Sequence, residues 1–87
     1  VENTEAPKTR EEILQMSLEA RVQEVMHYQI NIDNYTIALS EIAKLPQGEQ
    51  EELFEFSVQL QGLLASEKFE QKKAKIMLEV IRQQVKA

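Results

Sequence analysis

The sequence predicts an all-α protein, an antiparallel hairpin of two long helices that pairs with a second copy into a four-helix bundle. Three observations carry that expectation. Leu18, Val25, Ile32 and Leu39 recur at every seventh residue, and Val22, Tyr28, Tyr35 and Ile42 follow them at +4 or +3. That spacing returns apolar side chains to one face of a helix and leaves Gln23, His27, Asn31 and Asn34 on the other. Only two glycines and two prolines occur in 87 residues, too few turn residues for a sandwich or barrel. Finally, Pro46 and Gly48 punctuate the chain near its midpoint, where a proline ends one helix and a short turn sends the next one back.

Residues 1–8 hold little to bury and read as a mobile arm ahead of a single helical domain over 9–87. Thr9-Arg10-Glu11-Glu12 has the composition of a capping box: the Thr9 hydroxyl accepts from the Glu12 N–H while the Glu12 carboxylate reaches back to the N–H of Thr9. The first helix then runs to Leu45. Tyr28 to Ile32 alternate as a strand would, but the helical stripe continues in phase on both sides, so helix is preferred. Beyond the turn, Glu49, Glu51 and Glu52 crowd the start of a second helix and complement its dipole. Its inner face reads Leu53, Phe56, Leu60, Leu63 and Leu64, then Ala74, Met77, Leu78, Ile81 and Val85. Ser66 has the chemistry of a new N-cap, yet the stripe does not reset there, so one helix from about Glu49 to Lys86, with a kink near Ser66 at most, is expected.

Each helix carries a second apolar strip: Met26, Ile30 and Ile37 on the first, and Phe54, Val58, Phe69, Ile76 and Val80 on the second. A lone hairpin covers one stripe per helix, so these eight point to a homodimer. A third helix folded back at Ser66 is the alternative.

Fifteen acidic against ten basic residues leave a net charge of −5. The acidic excess lies in residues 1–66, whereas residues 67–87 hold six basic and three acidic side chains. An acidic body argues against non-specific nucleic-acid binding by the whole surface. The basic run Lys68, Lys72, Lys73, Lys75, Arg82 and Lys86 is the one feature suited to phosphates, although a solvated helix face is the simpler reading of it. The chain has no cysteine, which removes disulfides, thiolate metal sites and cysteine nucleophiles. With no membrane-length apolar run and no signal-peptide pattern, a cytoplasmic setting is expected.

Candidate sites are few. Glu24-Val25-Met26-His27 has the Glu-x-x-His spacing of helical di-iron proteins, but both residues project away from the apolar stripe and further inward glutamates are lacking. Met16, Met26 and Met77 read as gap-filling residues. Tyr28 and Tyr35, one heptad apart, are candidate partner-facing anchors or core rings with their hydroxyls at the rim. Arg21 interrupts the first stripe, and Glu67, Glu70 and Gln71 interrupt the second. A hairpin turning near Gln47 brings these interruptions to one level, with Gln71 opposite Gln23, and predicts an ion pair from Arg21 to Glu67 or Glu70 as a structural polar layer. No nucleophile, catalytic carboxylate pair or phosphate loop emerges, and no cofactor is implied. The expected function is therefore a non-enzymatic protein–protein interaction module, an acidic helical dimer acting as adaptor, regulator or inhibitor. The alternative is a nucleic-acid-associated regulator that uses segment 68–86.

Overall fold

The reciprocal capping box at Thr9 starts the first helix. The Thr9 side chain accepts from the Glu12 N–H at 3.1 Å, and the Glu12 carboxylate accepts from the Thr9 N–H at 3.0 Å. In the computed structural model, which describes residues 9–86, α1 (Arg10–Ala43) follows from this cap, then a short α2 (Gln47–Glu52), then α3 (Phe54–Lys86). The expected arm over residues 1–8 lies outside the described residues. Within them, α1 and α3 lie side by side as an elongated pair of helices of 34 and 33 residues, each about 50 Å long at 1.5 Å per residue.

The helices meet along a seam whose residues alternate steps of four and three. On α1 these are Leu14, Leu18, Arg21, Val25, Tyr28, Ile32, Tyr35, Leu39 and Ile42. Facing them are Leu53 at the α2–α3 junction and, on α3, Ser57, Leu60, Leu64, Glu67, Gln71, Ala74, Leu78 and Ile81. All are buried or half-buried. This is the heptad spacing of a coiled-coil seam, in which a single partner helix covers two positions in seven. The inner face expected for the second helix was wider. Phe56, Leu63, Met77 and Val85 belong outside it, because they remain about half exposed along the margin of the seam. A globular core covers an arc of some 100°, but one neighbouring helix covers less.

The chain reversal also departs from expectation. The break in the second half falls at Leu53, between α2 and α3, while Ser66 lies inside unbroken helix. Packed helices stand about 8–10 Å apart, and α2 spans that gap at the closed end of the hairpin. Its Gln50 holds the junction: the side-chain amide donates to the carbonyls of Leu45 at 2.7 Å and Ala43 at 3.2 Å. These are carbonyls near the end of α1, which have no partner farther along their own helix. Among the described residues, no helix is long and apolar enough to cross a membrane.

Candidate functional site

Midway along the hairpin, the apolar seam gives way to a polar belt. Gln71 is 7% exposed, the one polar residue among the buried set. Its amide nitrogen donates across the seam to the side-chain oxygen of Gln29 at 2.9 Å and to the backbone carbonyl of Val25 at 3.2 Å. One turn earlier on α3, the Glu67 carboxylate accepts from the Asn31 amide. The belt is fully paired, since no buried side-chain nitrogen or oxygen among the described residues lacks a partner. These contacts set the register of the hairpin. Gln71 lies opposite Val25 and Gln29 rather than Gln23, because α2 moves the reversal beyond Gln47.

That displacement separates the residues expected to form an ion pair. Arg21 bonds to Glu24 on its own helix, and Glu70 bonds to Lys73 at 3.0 Å on its own helix. Among the described residues, neither Glu67 nor Glu70 pairs with Arg21. Each of these two pairs spans three residues along one helix, and their side chains are between about one third and one half exposed. In that setting a pair is worth little, because water screens it. Arg21, Glu67 and Glu70 are all half-buried, but Asn31, Gln29 and Gln71 make the cross-seam bonds. The sequence offered one signal for these amides: Gln71 occupies an apolar stripe without a charge to explain it.

Tyr28 and Tyr35 sit on the α1 side of the seam and are half-buried. The His27 ring stands 6.2 Å from that of Tyr28, and His27 itself is exposed. With Glu24 engaged by Arg21, the Glu-x-x-His spacing brings no metal-ligand cluster together. Among the described residues, no group of three or more His, Cys, Asp or Glu is placed to hold a metal ion.

The outer surface is the more informative one. Met26, Ile30 and Ile37 on α1, with Phe54, Val58, Phe69, Ile76 and Val80 on α3, are all between 42% and 65% exposed. These are the eight residues of the second apolar strips. On α3 the cations fall largely on one side. Lys68, Lys75 and Arg82 recur at seven residues, and Lys72 and Lys86 follow two of them by four. Lys73 stands apart, over the Phe69 ring at 4.9 Å and bonded to Glu70. At the closed end a groove of about 830 Å³ opens between Leu39, Ala43, Gln50, Phe54 and Val58. Its walls are mainly amides and apolar surface, with the Glu51 carboxylate and the Ser57 hydroxyl and no histidine beside them.

No family model, curated protein or solved structure matches the chain.

Proposed function

We propose that the chain is a non-enzymatic protein–protein interaction module that works as a homodimer, a small acidic helical scaffold acting as adaptor, regulator or inhibitor of another protein. The observation that carries this reading is the uncovered second strip. Burying a large apolar side chain is worth about 1.5–3 kcal/mol, so eight half-exposed ones represent roughly 6–12 kcal/mol of unrealised stabilisation. That is comparable with the whole stability of a small domain, about 5–15 kcal/mol. Sedimentation equilibrium at micromolar concentration tests the reading. The expected mass is twice 10.1 kDa, and a folded monomer would overturn it.

A second reading rests on the line of cations along α3. Five positive side chains on one side of a helix are suited to a run of phosphates, and contacts of that kind weaken steeply with salt. Retention on nucleic acid at low salt, abolished by replacing Lys68, Lys75 and Arg82 with glutamine, would put this reading first. Passage through unretained would remove it.

A further inference from the structure

We infer that the second copy docks antiparallel along the outer line of α3, on a two-fold axis passing beside Phe69, so that the two α3 helices lie at the heart of the dimer. The inference rests on the homodimer reading above and specifies its geometry. The outer line runs Val58, Gly62, Ala65, Phe69, Ile76, Val80, at helical steps of three, four and seven, and every one of these residues is exposed. Two apolar pairs of the line stand at equal distances either side of Phe69, Val58 with Val80 and Gly62 with Ile76, while the small Ala65 mirrors Lys73, whose ammonium lies over the Phe69 ring and is bonded to Glu70. Because both helices rise equally per residue, an antiparallel partner with its dyad at Phe69 sets residues equidistant from Phe69 face to face. Val58 then meets Val80, the bulky Ile76 meets Gly62, and Phe69 meets its own copy. A glycine opposite an isoleucine allows close approach, and Gly62 has nothing within 4 Å of where a Cβ would stand.

Charge selects this orientation over the parallel one. The closed end of the hairpin is acidic, with Glu49, Glu51, Glu52 and Glu55, whereas the far half of α3 carries Lys72, Lys73, Lys75, Arg82 and Lys86. Turning the second copy end for end brings the acidic closed end of each chain toward Arg82 and Lys86 of the other. A parallel pair would set lysines beside lysines and glutamates beside glutamates along the whole contact. Opposite charges at such distances attract across partly screened solvent, and like charges repel.

The absence of cysteine makes the test direct. Val58→Cys, Phe69→Cys and Val80→Cys are prepared as single variants, helicity is checked by circular dichroism, and each is treated with a short bis-maleimide alone and in mixtures. The expected result is self-linkage of Phe69→Cys, little self-linkage of the other two, and strong linkage when Val58→Cys and Val80→Cys are mixed. Self-linkage of Val58→Cys and Val80→Cys separately would mean a parallel pair and would overturn this geometry while leaving the homodimer intact. A dimeric mass with no linkage at any of the three sites would overturn it too, by placing the interface elsewhere. A monomeric mass would remove both the geometry and the homodimer. Salt supplies an independent reading: antiparallel pairing predicts a dissociation constant that rises with ionic strength, and a fall would contradict it.

Discussion

Gln71 is the residue at which the account of the seam can be tested most sharply. It sits where a coiled-coil seam would hold an apolar residue, buried and doubly bonded to Gln29 and Val25. In Gln71→Ala both bonds vanish and the space is left partly empty. Two hydrogen bonds at about 1 kcal/mol each, with the lost packing of the stem, put the cost at about 2–3 kcal/mol. Gln71→Leu has the opposite expectation. It loses the same bonds, but Gln29 is exposed and its amide turns to water, while the Val25 carbonyl keeps its partner within the α1 helix. Against that loss stands the burial of an isobutyl group where an amide was, worth about 1.5–3 kcal/mol in full. The net lies between about zero and a gain of 1 kcal/mol, so Tm should hold level or rise by up to about 4–8 °C for a domain of this size. Thermal unfolding followed at 222 nm, with all variants at one protein concentration because association shifts Tm, measures both. Should Leu destabilise as much as Ala, hydrogen bonding rather than filling holds this level together, and the reasoning fails. The leucine variant is also expected to lose definition. Without the belt a slipped register costs less, and amide resonances of α3 should broaden or double.

Other substitutions follow from the same structure. Arg21→Leu places an apolar residue on the seam and gives up only a half-exposed pair, so unfolding experiments should show a stabilisation of about 1 kcal/mol. Gly62→Ala meets no neighbour within the chain and should raise helix stability by about 1 kcal/mol; urea unfolding at low protein concentration, where the monomer dominates, is the measurement. Replacing exposed Lys72 and Lys75 by glutamine should each change stability by no more than about 0.5 kcal/mol in the same assay. Thr9→Ala removes the N-cap and should cost about 1 kcal/mol. The same box makes stability depend on pH. The Thr9 backbone N–H, and then its side chain, hold the Glu12 carboxyl below its ordinary value. That contribution is complete above the ordinary carboxylate range and is lost as pH falls through the lowered value. A pH titration of Tm should show this acid-side loss in the wild type and a smaller one in Thr9→Ala.

What could be read from residues alone divides by distance along the chain. The capping box at Thr9 was legible because every partner lies within three residues. The apolar seam of α1 was legible because a period repeats. The seam of α3 was read too wide: Phe56 and Leu63 share an arc with Leu60 and Leu64, and only the number of covering helices decides which of them are buried. Register was missed by about one turn, since a six-residue helix between Pro46 and Leu53 has no apolar pattern to reveal it. The ion pair from Arg21 failed for a related reason. Its long side chain reaches Glu24 three residues on, while shorter amides across the seam took the pairing. The uncovered strips from Met26 to Ile37 and from Phe54 to Val80 were legible, because two stripes on one helix exceed what one neighbour can cover.

The Gln50 clamp carries a consequence for the order of folding. Contacts near the closed end join Ile42 to Leu53, a short loop, whereas those at the open end join Leu14 to residues some seventy positions away. Loop closure grows costlier with length, and local contacts form fastest. Because Gln50 satisfies the end of α1 with partners only five and seven residues away, the reversal can set before any of α3 beyond its first turns has docked. The hairpin then zips from that point toward its termini and crosses the amide belt halfway. Hydrogen exchange should be slowest beside Leu39 and Leu60 and fastest near Leu14 and Val85, and the belt should mark the boundary between two stretches that open at different rates.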